Sequence, residues 1–512
     1  MSSNTKLYAV ALLALAVGDG LAAGQGPVPR ALALLASHGT QARTSADDRF
    51  LARDVVVDPD GTEHVRFDRT YEGLPVIGGD VVMHSREGRF EAMSLTQEVP
   101  LGLSTRPRLQ ADDAVVAAGT EFGSGFSAPP ETALVVDARG DAPRLAWRVR
   151  LQDNWDDMTY LVDARSGAIL DRWSNRETAA AQGTARTLYA GNVTLTTDAV
   201  SGGYELRDPT RGGMRTIDGS NSRTSGQVYK DADNAWGNGA ASDKSTAAAD
   251  AQYGAQVTWD YYRNTHGRLG IANDGKGAYS RVHYGRAYAN AYWNDGCFCM
   301  TYGDGDGVHQ TSLVALDITG HEMSHGVTSR TAALVYSGES GGLNEASSDI
   351  LGTMVEFSAK NGKDAPDYLI GEEVFVDNVA GSPDQRALRY MFDPERDGRS
   401  VGCYYPGIGS LDVHYSSGVA NHFYYLLAEG TGSKTFNGVD HTPTTCNGAT
   451  FAGLGRTTAE KIWYRALTVY FTSGTDYAGA RAATIQAAKD LYGAKSPESR
   501  RVATAWAAVQ VN

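Results

Sequence analysis

A chain of 512 residues is longer than one hydrophobic core ordinarily organises, so roughly two to four domains are expected. Its 42% hydrophobic and 21% charged residues make an ordinary globular mixture, and a formal net charge of -14 argues against the basic patches that recruit nucleic acid or anionic lipid. An acidic chain is compatible with hard cations, which take carboxylate oxygens.

The N-terminus carries the first readable element. Lys6 is followed by the apolar run "LYAVALLALAV" and then by the small-residue stretch "GDGLAAG", the arrangement of a secretory signal peptide over residues 1–23. The run is too short to span a bilayer, and no later stretch is continuously apolar over about 18 residues. The expected product is therefore secreted and extracellular, with no membrane contact after signal removal. Four cysteines, Cys297, Cys299, Cys403 and Cys446, suit that compartment and permit three pairings. Cys403 with Cys446 is the favoured pair, which leaves Cys297 with Cys299. The alternative is that these last two remain thiols or bind metal.

From about residue 24 to 180 the chain reads as a separate, strand-rich region, with signals grouped over about 45–100 and 105–175. "HVRFDRTYEGLPVIGGDVVMH" alternates apolar and polar residues on both sides of a Gly-Leu-Pro turn, which predicts a hairpin or short meander. "LAWRVRL" and "TYLVDARSGAILDRW" repeat the signal, the latter turning at Ser166-Gly167. Arg176 to Thr184, "RETAAAQGT", loses periodicity and reads as a linker open to cleavage.

The second half turns aromatic and rich in Gly and Asp before helical patterns take over from Val314. "LNEASSDILGTMVEFSA" sets Leu343, Ala346, Ile350, Leu351, Met354 and Phe357 on one stripe, with Gly362 as its stop. "TTAEKIWYRALTVYF" and the stretch from Tyr477 to Tyr492 predict further helices.

Within this half "DITGHEMSHGVTS" places His321 and His325 one helical turn apart, so both imidazoles can face one point. A tetrahedral zinc ion would take two ligands from that pair, with Glu322 beside it as a general base for a water. The metzincin extension is excluded, because Thr328 and Thr331 stand where glycine and histidine are required. Downstream, "GGLNEASSD" offers Glu345 as third ligand and Asp349, one turn later, as hydrogen-bond acceptor for a ligating imidazole.

With these motifs the chain resembles secreted precursors of the thermolysin family from about residue 185 to its end. "NAYWN", "YGDGDG", "HEMSHGVT", "NEASSD", "LRYMFDP" and "DVHYSSGVANHFYYLL" occur in the family's order, and the "LRYM" and "DVHYSSG" blocks look more like the bacterial elastase and vibriolysin branch. The resemblance implies an α+β fold in which residues 181–330 form a β-rich lobe ending in the zinc-binding helix. Residues 331–512 would form a mainly α-helical lobe, the cleft lying between the two. Residues 24–180 would be an α+β propeptide that assists folding, covers the cleft as an intramolecular inhibitor, and is removed by the enzyme itself.

The implied activity is zinc-dependent hydrolysis of internal bonds in proteins or peptides by a monomer. Tyr336 and His414 would stabilise the oxyanion, Asp412 would orient His414, and Asn290, the Ala291 carbonyl and Arg389 would hold substrate. Ile318, Ile370 and Leu388 would favour a hydrophobic side chain just after the scissile bond. Asp317, Glu356, Asp367 and Glu372 match the family's calcium carboxylates; Leu369 replaces another, so one calcium ion is expected rather than two. Asp231 and Asp233 resemble part of a further site in which Ala235 replaces a ligand. Two other readings stay open: a catalytically silent zinc-containing binding protein of the same fold, and a zinc exopeptidase.

Overall fold

The computed structural model describes residues 26–512 apart from 124, 154–155, 176–178, 224–225, 380–381 and 383, so the expected signal segment lies outside the described residues. The chain divides into two compact units, Met1–Glu177 and Thr178–Asn512.

In the first unit, period-two alternation builds one nine-stranded sheet. Strands Thr62–Tyr71 and Val81–Arg86 pair antiparallel, and alternate residues Val65, Phe67, Val81 and Met83 bury against Ala31 and Leu35 of helix α1 (Pro27–Ser37). The expected meander is present, but its tight turn is Glu72-Gly73, both at positive φ, so Leu74 and Pro75 begin the next strand. Helix α2 (Ala111–Phe122) lays Ala114 and Ala118 on Val149, Leu151, Tyr160 and Val162. Strands Asp157–Asp163 and Ile169–Ser174 pair across Gly167, which stands at φ 79°.

The second unit opens with a strand where the sequence suggested a linker. Ala179–Arg186 is a strand paired with Asn192–Val200 and with Ala235–Trp236, so the linker reading fails for Ala179 to Thr184; Arg176 to Thr178 lie outside the described residues. Small residues give that strand no apolar alternation; backbone pairing aligns it, and Ala185 enters the core. A mixed sheet follows in the order Arg207–Asp208, Met214–Asp218, Tyr279–Val282, Cys299–Tyr302, Ala291–Asn294, which leaves Ala291–Asn294 at an edge. Behind these sheets runs helix α3 (Lys244–His266), which no periodic apolar stripe in the sequence announces. Asp243 caps its start by accepting from Ser245 N, and Gly267 ends it at φ 66°.

Helices dominate thereafter: α4 (Leu316–Ser329), α5 (Gly338–Ala359), α6 (Val413–Ser416), α7 (Gly418–Glu429), α8 (Arg456–Arg465), α9 (Tyr477–Tyr492) and α10 (Pro497–Ala508). Helix α5 stops at Lys360, in the left-handed region, two residues before the expected Gly362. The β-rich and helical parts share one core, in which Phe423 stacks on Trp506 with ring centres 3.8 Å apart. Both expected disulfides are present, Cys297–Cys299 and Cys403–Cys446. Among the described residues no helix is long and apolar enough to cross a membrane.

Candidate metal centre and active site

Helix α4 presents His321, Glu322 and His325, and α5 presents Asn344, Glu345 and Asp349. The two helices meet at glycines. A β-carbon on Gly352 would come within 2.6 Å of the Asp317 carbonyl oxygen, and one on Gly320 within 3.0 Å of Gly352 Cα. This close approach carries Glu345 to the histidine pair.

His321 Nδ1 lies 2.8 Å from Asp349 Oδ1, and His325 Nδ1 lies 2.8 Å from Asn344 Oδ1. Asn344 Nδ2 donates to the Leu334 carbonyl, so its oxygen faces the ring. Both Nδ1 atoms thus meet acceptors and carry hydrogen, and neutral rings would turn Nε2 lone pairs toward each other. Those Nε2 atoms stand 2.9 Å apart, with Glu345 carboxylate oxygens at 3.4 and 3.5 Å. Ligands at about 2.0–2.1 Å from a tetrahedral ion lie roughly 3.4 Å from one another, so this donor set fits zinc.

Local electrostatics also favour positive charge there. Burial pulls the His325 imidazole down, yet Glu345 outweighs it and lifts the group to about 9. Burial likewise pushes Glu345 up, but His325, His321 and Arg389 hold it well below the ordinary carboxylate range.

Asp349 is the hub beneath the centre. It accepts from Arg389 through Nε at 2.7 Å and Nη2 at 2.6 Å, and from Asn421 Nδ2 at 2.8 Å, besides His321. Such a network fixes the ring's tautomer and direction. Asn344 and Asn421 were not singled out from the sequence. Both lie in quoted blocks, Asn344 beside Glu345 in "NEASSD" and Asn421 within "DVHYSSGVANHFYYLL", but no spacing points Asn421 at Asp349.

Glu322 is 5% exposed, and its Oε2 has no hydrogen-bond partner. Burial raises its pKa, and the two imidazoles and the Trp293 N–H oppose that rise. Tyr336 donates its hydroxyl to Glu345 and lies 3.1 Å from His414 Nε2, while His414 Nδ1 is 2.7 Å from Asp412 Oδ1. A cleft of about 720 Å³ brings together Asn290, Ala291, His321, Glu322, His325, Tyr336, Glu345, Arg389 and His414, with Leu313, Ile318, Ile370 and Leu388 along an apolar wall.

A second group lies apart from the cleft chemistry. Glu356, Asp364 and Glu372 bring carboxylate oxygens within 4.8 Å of one another, all buried. Asp317, Asp367 and Glu373 join them electrostatically. Glu356 Oε2, Asp364 Oδ1, Asp367 Oδ2 and both Glu372 oxygens have no hydrogen-bond partner. Asp364 and Glu373 were not singled out from the sequence. Asp231 and Asp233 instead accept backbone N–H groups of their own turn, from Asp233, Asn234 and Ala235.

Family models match nearly the whole described chain. Residues 182–329 match the thermolysin metallopeptidase catalytic domain and residues 332–511 its alpha-helical domain. The chain belongs to the thermolysin family. Its first unit carries the fungalysin/thermolysin propeptide motif at 48–96 and a peptidase propeptide and YPEB domain at 110–173. The transglutaminase-activating metalloprotease of Streptomyces mobaraensis is 46% identical over 506 residues, 95% of this chain; the match spans 65% of that protein's length. Thermolysin of Alicyclobacillus acidocaldarius subsp. acidocaldarius is 36% identical over 485 residues, 87% of this chain and 83% of that one. Bacillolysin of Bacillus cereus is 36% identical over 515 residues, covering 91% and 86%. This thermolysin-family chain is therefore a metalloprotease with propeptide elements, and membership implies zinc at the His-His-Glu group.

Proposed function

We propose that the protein is a secreted endopeptidase that cuts on the amino side of hydrophobic residues and removes its own propeptide. The observation that carries this reading is the buried, partnerless Glu322 Oε2 beside three converging metal donors at the floor of an open cleft. In the proposed division, residues 1–23 are the signal, 24–180 the propeptide that holds the enzyme inactive until cut, and 181–330 and 331–512 the catalytic lobes of an extracellular monomer.

His321, His325 and Glu345 would hold a zinc ion, which when bound would polarise the scissile carbonyl and make an attacking water more acidic. Glu322 Oε2 takes that water's proton and delivers it to the leaving nitrogen. Tyr336 donates its hydroxyl to the developing oxyanion, and His414 donates from Nε2, its ring held at Nδ1 by Asp412. Asn290 and the Ala291 carbonyl hold the substrate backbone, and Arg389, braced by Asp349, meets the residue after the scissile bond. Replacing Tyr336 by Phe, or His414 by Ala, should lower kcat by about 10²–10³ with KM little changed. Because these two side chains touch, the double variant should lose less than the product of the two, measured by steady-state kinetics.

The apolar wall of Leu313, Ile318, Ile370 and Leu388 supports the proposed preference. Digestion of a mixed peptide library followed by mass spectrometry should place internal cuts before Leu, Ile, Val or Phe. Removal of terminal residues alone would instead establish the exopeptidase. Calcium is the proposed occupant of the acidic group, bound by Asp317, Glu356, Asp367 and Glu372 together with Asp364.

A further inference from the structure

The hairpin that carries the cleft's edge strand ends in a ring that the proposed chemistry does not use. Ala291–Asn294 and Cys299–Tyr302 pair antiparallel with Asn294 opposite Cys299, and the Cys297–Cys299 disulfide closes the turn between them. Phe298, the one residue inside the ring, stands at φ 50°, a conformation that residues with a β-carbon seldom adopt.

Two side chains reach from this turn to the end of α4. Asp295 accepts from Ser329 Oγ at 2.8 Å and from Trp293 Nε1 at 3.1 Å, and lies 3.5 Å from the Arg330 guanidinium. Phe298 meets Trp293 edge-on with ring centres 5.2 Å apart and lies beneath Arg330 at 5.4 Å. The Trp293 indole fills the place where a β-carbon on Gly326 would come within 2.9 Å of it. Trp293 also offers its backbone N–H to Glu322. The turn is thus fastened to the helix that bears both imidazoles, one turn beyond His325.

Loop-closure stabilisation grows with ring size, so a bond spanning one residue restrains the unfolded chain least. The Cys403–Cys446 bond, with a sequence separation of 43, is the one suited to that purpose. What the short ring fixes is local: the backbone of Phe298 and the direction in which Asp295 and Phe298 leave the turn.

We propose that the Cys297–Cys299 disulfide is a positioning clamp that sets the edge strand Ala291–Asn294 against the end of α4, and with it the register of an extended peptide along that strand. The inference rests on the protease reading above.

The test compares the mature enzyme with its Cys297→Ser/Cys299→Ser form on an extended quenched peptide and on a blocked dipeptide amide. KM for the extended peptide should rise about five- to tenfold with kcat within about twofold, while the dipeptide kinetics and zinc content stay unchanged. To remain independent of folding of the variant, the same kinetics are run on the folded unaltered enzyme with tris(2-carboxyethyl)phosphine. The phosphine gives the disulfide two electrons and ends as the phosphine oxide, one water supplying the oxide's oxygen and the two thiol protons. KM should rise in the unaltered enzyme and stay put in the double variant. An unmoved KM, or an equal response of both proteins to the phosphine, overturns the clamp. If neither protein cleaves any peptide, the protease reading falls, and amide exchange across residues 291–299 decides the clamp: faster exchange in the double variant supports it, identical exchange overturns it.

Discussion

Replacing Glu322 by Gln should yield a protein that binds zinc as before, stays at precursor mass and cuts no internal peptide bond. The substitution keeps the shape of a nearly buried side chain and leaves His321, His325 and Glu345 untouched. It removes a carboxylate at the floor of the cleft whose Oε2 has no hydrogen-bond partner. Burial raises the Glu322 pKa and the two imidazoles lower it, which suits a group that must first take a proton and then give it up. Loss of that transfer should cost about 10³–10⁴ in kcat/KM. Native mass spectrometry counts the zinc, denatured mass spectrometry reads the processing, and a quenched peptide reads turnover. Unchanged maturation and cleavage would remove Glu322 from the role and revive the silent binding protein.

The parts of the site legible in the sequence are those whose spacing is set by one helix. His321 and His325 are i and i+4 on α4, and Glu345 and Asp349 repeat that offset on α5. The partners that fix ring direction were less legible, because Asn421 approaches Asp349 from α7 through tertiary packing alone. Asp364 lies in the irregular stretch "KNGKDAPD", where no period points it at Glu356.

The same division runs through the fold. Strands of the first unit alternate visibly because one face meets α1 or α2, and α9 follows a clean helical pattern. Helix α3 has no such stripe. Ala247, Ala248, Ala249 and Ala251 are buried around it, and so are Asp250, Gln252 and Gln256, whose polar atoms bond the Leu188 and Tyr189 N–H groups, the Thr216 hydroxyl and the Thr196 backbone. A helix packed between strands on one side and α4 and α5 on another carries its signal in those cross-contacts and not in its own period.

Calcium should stabilise the catalytic unit strongly, and more so as pH rises. With zinc restored to metal-free Glu322→Gln protein in both samples, 1 mM calcium in one of them should raise Tm by roughly 6 °C at pH 8, corresponding to about 4 kcal/mol for a micromolar site. The physical cause is charge crowding out of water. Burial first, then mutual repulsion, lifts Asp317 to about 6 and Asp367 and Glu373 to about 7, with Glu356, Asp364 and Glu372 well above the carboxylate range. Without calcium the folded chain therefore holds protons that the unfolded chain, titrating near 4, releases. Their contribution to stability is complete below the unfolded range and is lost as pH rises through about 6 to 7. Calcium replaces those protons, so its binding strengthens over the same interval. The Tm gain at pH 5.5 should accordingly be well below that at pH 8. Equal gains at the two pH values would show that the crowded carboxylates are not the binding groups, and no gain at pH 8 would show that no calcium binds.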